Sequence, residues 1–225
     1  MKIGFIGAGS VGQTLAAALA AKGHDVIVGI RKVSPDELAK ERNFAQPLDA
    51  WLKTTNAKVG TFAEAAKHGD IIFNVTSGSV SIEALTLAGA ENLGDKILVD
   101  VANPLDFSRG MPPSLYPHFS NTWSVGEEIQ KHFPDVKVVK AFNTVAAAVM
   151  VNPSLVSEAH DLIISGNDEA AKAAVTELAG EAFGWKHFID LGDITGARGQ
   201  EAILHIWLRI WATSGNPVFN LHVAR

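Results

Sequence analysis

The chain has 225 residues, a formal net charge of −5 and no cysteine. The missing thiols exclude a disulfide framework, a thiolate metal site and a cysteine nucleophile together, and an acidic chain without a basic stripe or arginine-rich helix argues against a nucleic-acid partner. No stretch reaches the roughly 20 apolar residues that span a bilayer, so a soluble cytoplasmic protein is expected, with a length that suits one domain plus an extension.

The chain opens with Lys2-Ile3-Gly4-Phe5-Ile6, an apolar run with the branching of a buried parallel strand. A single lysine precedes it, and a strand accounts for it better than a signal peptide does. The turn Gly7-Ala8-Gly9-Ser10-Val11-Gly12 follows. In this spacing the first glycine permits the tight turn, the second lets backbone approach a pyrophosphate, and the third lets the next helix lie on the sheet. That helix, expected over Ser10 to Lys22, is built of small and apolar residues and stops at Gly23; a second apolar run, Asp25 to Ile30, completes a β-α-β unit. The spacing alone recurs by chance in ordinary strand-turn-helix segments, but within this unit it predicts a dinucleotide site.

The tip of the second strand decides between nucleotides. An NAD site needs a carboxylate there for the ribose hydroxyls, whereas Ile30 is followed by Arg31, Lys32 and, close behind, Ser34. Two cations without a carboxylate favour NADP(H) through its 2′-phosphate; the plain alternative is a solvated charge pair. Ser34-Pro35-Asp36-Glu37 then reads as a helix start. A second short helix is expected over 47–53, a strand at Lys58-Val59, and a helix over 62–68 capped by Thr61, all covering the adenine side.

Asp70 to Val75 is the next buried strand, ending in Thr76-Ser77-Gly78 ahead of a helix expected over 80–90. Ligands of open α/β sheets bind at the carboxyl ends of strands, which puts Thr76, Ser77 and Gly78 beside the pyrophosphate and nicotinamide ribose unless they only cap the helix. Lys96 to Ala102 is a further central strand, and Asn103-Pro104 ends it at the same edge. Residues 105–122 lose all periodicity and hold Pro112, Pro113, Pro117 and the sole tyrosine, Tyr116; so long a loop reads as part of an acceptor site or as a mobile surface loop. A helix over 124–132 and a strand over 136–141 lead to Phe142-Asn143-Thr144, which is expected to converge with Thr76 to Gly78 and Asn103-Pro104 at the carboxyl edge of the sheet as the cleft for the acceptor ring. Lys140 invites comparison with catalytic lysines, but strand alternation favours a solvated or ion-paired role.

From residue 145 the β-α-β rhythm resumes: a strand over 161–166, a helix over 168–182 and a strand over 186–190. The last helix, expected over 197–213, carries one polar stripe of Glu201, His205 and Arg209 amid Ile203, Leu204, Ile206, Trp207, Leu208, Ile210 and Trp211. So apolar a helix must be buried on most sides, inside the protomer or against a second one; a homodimer is the expectation, with Pro217 to Val223 adding an edge strand there. His205 reads as a helix-face histidine. The fold expected is a Rossmann-type doubly wound α/β unit over 1–225 with a mostly parallel sheet. Residues 1–144 form the dinucleotide-binding core and 145–225 a small α/β extension completing the acceptor cleft.

No hydrolase elbow, P-loop or metal-binding His spacing is present, so neither a catalytic side chain nor a metal is assigned. The stretches Lys2 to Lys32, Val101-Ala102-Asn103-Pro104 and Val139 to Thr144, with the C-terminal helix, resemble the NADPH-dependent reductases of coenzyme F420, a deazaflavin. That family also includes bacterial dinucleotide-binding relatives and metalloreductase cytoplasmic domains. Where its members often carry hydroxyl side chains before the arginine and within the glycine turn, this chain has Ile30 and Ala8. The resemblance implies that Ala102, Asn103 and Pro104 lie near the nicotinamide ring. An NADPH site without an acid-base group suits an acceptor that is itself a redox cofactor, F420 or a flavin (FMN or FAD), with rate coming from positioning. Reduction of a small carbonyl compound, flavin-mediated ferric reduction and non-catalytic NADP(H) sensing are the rival readings.

Overall fold

The computed structural model describes residues 1–42 and 44–224. Strand β1 (Lys2–Ile6) feeds helix α1 (Ser10–Ala21) and strand β2 (Asp25–Ile30); short helices α2 (Pro35–Ala39) and α3 (Leu48–Trp51) precede β3 (Lys58–Thr61). Helix α4 (Phe62–His68) leads to β4 (Ile71–Asn74), and α5 (Ser81–Ala88) and α6 (Ala90–Leu93) lead to β5 (Ile97–Asp100). The two-residue strands β6 (Leu105–Asp106) and β7 (Ser114–Leu115) pair antiparallel inside the long loop. Helix α7 (Val125–His132), β8 (Lys137–Ala141), α8 (Ala147–Val151), β9 (Leu162–Gly166), α9 (Glu169–Phe183), β10 (Phe188–Asp190), α10 (Ala197–Ala202) and α11 (Leu204–Ser214) complete the chain.

Eight strands form one sheet in the order β10-β9-β8-β5-β4-β1-β2-β3. Every pairing is parallel except that of β9 with β8. This is the Rossmann-type doubly wound architecture, with the C-terminal β-α-β unit continuing the sheet in reversed sense. The reversal follows from the connection: β8 reaches β9 through the short α8 and the loop beyond it, without the long crossover helix a parallel neighbour requires. Helices cover both faces, so β1, β4, β8 and β9 are buried along nearly their whole length rather than at alternate residues. One core cluster packs α1, α8 and α9 on one face, and a second packs α4, α5 and α7 on the other.

Local chemistry sets the element ends. Thr61 and Glu64 form a reciprocal capping box at α4, and Ser34, Ser124 and Asp168 each accept a backbone N–H at the starts of α2, α7 and α9, a device worth about 1 kcal/mol apiece. Three expectations need correction. The helix expected over 80–90 begins only after a 3₁₀ turn at Gly78–Val80 and breaks at Gly89, whose φ of 88° no helical residue adopts. The last helix divides at Ile203 into α10 and α11. The tail is not an edge strand: Asn220, His222 and Val223 bond to His160 and Asp161 through side chains, and one backbone bond, from the Asp161 N–H to the Leu221 carbonyl, joins them in tying the tail to the start of β9.

Among the described residues, no helix is long and apolar enough to cross a membrane.

Candidate functional site

Strands β1, β4, β5 and β8 are parallel, so the segments that follow them emerge along one edge of the sheet. At β1 the chain turns on Gly7, whose φ of 116° is open to glycine and strained for other residues, and whose N–H bonds the Gly29 carbonyl at 3.1 Å. Nothing lies within 4 Å of where a Gly9 side chain would start, while a Cβ on Gly12 would sit 2.8 Å from the Gly7 carbonyl oxygen. The turn is therefore open on one side and closely packed on the other. Helix α1 starts there with Gly9 as N-cap, no side-chain cap and no acidic residue in its first turn. Its first N–H groups and positive dipole end are free for an anion, and Ser10 and Val11 remain half-exposed while Ala8 is buried.

Arg31 and Lys32 are exposed at the tip of β2. Arg31 pairs with Glu83 on α5 at 2.8 Å, with both side chains more than half exposed, so the pair is weak and readily exchanged for a bound anion. Ser34 spends its hydroxyl on the Glu37 N–H.

Beyond β4, Thr76 is half-buried and Ser77 exposed. Thr76 Oγ1 donates to Asn74 Oδ1 at 2.7 Å, which fixes the hydroxyl against the strand end. Gly78 is the close-approach point of the cleft: its N–H bonds the Asn103 carbonyl at 3.0 Å, and a Cβ there would lie 2.8 Å from that carbonyl. Asn103 Nδ2 donates to the Asn143 carbonyl at 2.8 Å and Asn143 Nδ2 donates back to Asn103 Oδ1 at 3.0 Å. The loops after β4, β5 and β8 are thereby laced together. Asn103 keeps part of its surface, whereas Ala102, Pro104, Asn143 and Thr144 are buried. Phe142 holds a left-handed backbone, φ 65°, and turns its ring into the core against Phe73 and Phe183. The long loop is tied to this edge by the Tyr116 N–H on the Pro104 carbonyl, and Leu115 packs against Leu204, Trp207 and Leu208.

Beneath these loops lies a buried charge cluster. Lys140 is not solvated: its ammonium, fully enclosed, bonds Asp100 Oδ2 at 2.8 Å, Glu201 Oε1 at 2.7 Å and the Ala102 carbonyl at 2.6 Å. Asp100 Oδ1 also accepts from Asn74 Nδ2 and the Ala102 N–H. Glu201 accepts the Val125 and Gly126 N–H groups at the start of α7, where the helix dipole favours a carboxylate. Burial pulls the Lys140 pKa down, but Asp100 and Glu201 together outweigh it and hold it above the ordinary lysine value. Burial raises the Glu201 carboxyl above the ordinary range, and Lys140 draws it partly back. Gln200 extends the network through Ser165 Oγ and the Lys140 and Ile163 carbonyls, and its own carbonyl accepts from Asn143 Nδ2.

Glu201 thus departs from the expected polar stripe, because Lys140 and α7 draw it into the interior while His205 and Arg209 stay exposed. The sequence reading gives Asp100 and Gln200 no role in the site, and Glu201 only a place on a helix stripe. A signal was present for the first: Asp100 interrupts an apolar strand buried on both faces, and a carboxylate there requires a partner, which Lys140 supplies from the register position directly opposite.

The comparisons agree with this architecture. Residues 2–104 match the family model described as NADP oxidoreductase, coenzyme F420-dependent. An F420-dependent NADP reductase from Methanocaldococcus jannaschii is 32% identical over 208 residues, covering 90% of this chain and 89% of that protein. The chain belongs to the coenzyme F420-dependent NADP oxidoreductase family. A crystal structure of a candidate F420-dependent NADP-reductase from Arthrobacter sp. FB24 superposes over the whole of both chains, with a TM-score of 0.92 and 47% identity. Rat metalloreductase STEAP3 is 30% identical over 203 residues; the match covers 90% of this chain but 36% of that protein. A Streptomyces aurantiacus imine reductase, 16% identical with a TM-score of 0.62 over 64% of its length, shares the fold alone. Membership makes this chain an NADP-dependent oxidoreductase.

Proposed function

We propose that the protein acts in the cytoplasm, transferring hydride between NADP(H) and a deazaflavin of the F420 type. The observation that carries this reading is the state of Lys140. The cationic group nearest the cleft floor is sealed from solvent and has its three protons committed to three acceptors. The other cleft residues described, Thr76, Ser77, Gly78, Asn103 and Asn143, offer hydroxyl, amide and backbone groups, a set suited to holding two rings face to face rather than to protonating a carbonyl oxygen. The 32% identical M. jannaschii reductase supports the same acceptor.

In this reading NADPH supplies the hydride from its nicotinamide ring. The open glycine turn and the uncapped start of α1 hold the pyrophosphate, Arg31 and Lys32 hold the 2′-phosphate, and the Ser34 hydroxyl, which accepts the Glu37 N–H as a cap, keeps its proton to donate to that phosphate. Thr76 and Ser77 bound the nicotinamide ribose, and Asn103 lies at the ring. The laced backbones of Gly78, Asn103-Pro104 and Asn143-Thr144 set the width of the cleft, so these buried residues act by position, and Phe142 anchors its loop to the core. Anaerobic NADPH oxidation with F420, FMN, FAD and a carbonyl panel tests the proposal. Fast turnover with F420 supports it; preference for FMN or FAD moves the acceptor to a flavin, turnover of a carbonyl alone makes the protein a carbonyl reductase, and nucleotide binding without turnover leaves a sensor.

Self-association is part of the proposal. On α11 Ile206 is 60% exposed and Ile210 more than a third exposed, and Met111 in the long loop is 60% exposed. A groove of about 380 Å³ is lined by Met111, Pro112, His205, Leu208 and Arg209. A second copy of the chain is the occupant proposed, because an apolar helix face of this kind marks an interface. Light scattering at micromolar concentration should give twice the chain mass of 23.9 kDa, and a monomer there rejects it.

A further inference from the structure

The buried cluster has a charge count that can be read from its hydrogen bonds. Lys140 has three protons and three acceptors, so it is an ammonium. Glu201 meets the Lys140 ammonium and the Val125 and Gly126 N–H groups; Asp100 meets Lys140, Asn74 Nδ2 and the Ala102 N–H. Each carboxylate is surrounded by donors with no acceptor for a carboxyl proton, so at neutral pH the ionised form is the one fully satisfied, even though burial holds the Glu201 carboxyl above the ordinary range. One ammonium and two carboxylates leave a net charge of −1 in groups that are wholly enclosed. The nearest further ion pair, Glu127 with Arg198, is neutral in sum. The cluster touches the cleft at two points, the Ala102 carbonyl just before Asn103 and, through Asn74, the hydroxyl of Thr76.

We propose that Asp100, Lys140 and Glu201 are electrostatic positioning residues whose excess negative charge, fixed under the nicotinamide end of the cleft, favours the cationic oxidised ring over the neutral reduced one. The proposal rests on the NADP(H) reading above. Loss of hydride from the ring creates one positive charge, and a buried unit charge within about 10 Å at an effective dielectric of about 20 changes that balance roughly tenfold. Such a charge, already oriented by protein donors, requires no reorganisation as hydride leaves.

The test is a calorimetric titration of wild type, Glu201→Gln and Asp100→Asn with NADP⁺, NADPH and 2′,5′-ADP, which has the 2′-phosphate but no nicotinamide. Phosphate and adenine contacts cancel in the ratio of NADP⁺ to NADPH dissociation constants. The ratio should rise about tenfold in Glu201→Gln while the 2′,5′-ADP affinity is unchanged. Asp100→Asn should move it in the same direction, so either variant decides the matter if the other does not fold. An unchanged ratio, or equal weakening of all three ligands as a merely structural role would give, overturns the proposal. A wild type that binds none of the three removes the NADP(H) reading itself, and the proposal with it.

Discussion

The two ends of the cleft are built by opposite means. The nucleotide end, from β1 through the tip of β2, is local: one 32-residue stretch supplies the turn, the free helix start and the cations, and the backbone does most of the work. The proposed acceptor end is non-local: Asn74, Asp100, Lys140, Asn143, Gln200 and Glu201 come from four separate segments and meet through buried side-chain hydrogen bonds. A local site depends on glycine geometry and tolerates change elsewhere in the fold. A non-local one depends on every partner being present, because removing one strands the others in a low-dielectric interior.

The largest effect that distinguishes the two ends is expected from Gly78→Val. Its Cβ would meet the Asn103 carbonyl at 2.8 Å and the Pro104 nitrogen at 2.9 Å, both backbone. Acceptor reduction should fall by at least about a hundredfold through misplacement of the rings, while 2′,5′-ADP still binds; steady-state rates and titration together check this. Lys140→Met comes next: it leaves two carboxylates buried without their cation and should cost about 3–5 kcal/mol of stability, read by denaturant unfolding. A loss below about 1 kcal/mol would mean the cluster does not hold the acceptor end together. Arg31→Ala probes the other end. It should weaken NADPH roughly ten- to a hundredfold, the worth of about 1.5–3 kcal/mol for a charge-assisted contact, and leave NADH nearly unchanged. Equal losses for both would remove the 2′-phosphate role.

The smallest expected effect is on pH dependence. Glu201 has its folded-state pKa above the unfolded value of 4.5. The folded protein therefore holds that proton more tightly, and stability from this group is complete below about pH 4.5 and is lost as pH rises through the folded value. The melting temperature of wild type minus that of Glu201→Gln should fall over that window. A difference that rises with pH instead would reverse the assignment.

The same contrast explains what the sequence disclosed. The β-α-β unit, the cation pair at Arg31 and Lys32 and the convergence of three strand ends were legible because each is written in contiguous residues with a fixed period. The division at Ile203 and the withdrawal of Glu201 were not, since helical spacing places Glu201 with exposed His205 and Arg209, whereas Lys140, 61 positions earlier in the chain, and the N–H groups of Val125 and Gly126 draw it inward. The reversed strand β9 was hidden for a related reason: an apolar run carries no mark of direction. The tail was misread because Pro217 to Val223 has a strand's composition, whereas its anchors, Asn220 and His222, bond as side chains.

In the proposed reaction both ends act together in one event, the passage of hydride from the nicotinamide of a nucleotide anchored at the glycine turn to an acceptor ring beside Asn103. Stopped-flow oxidation of NADPH deuterated at either face of C4, with F420 as acceptor, follows that event directly. The account predicts a primary isotope effect for one face only, with the label recovered on the acceptor ring. Label released to solvent, or F420 left unreduced while NADPH binds, would contradict it.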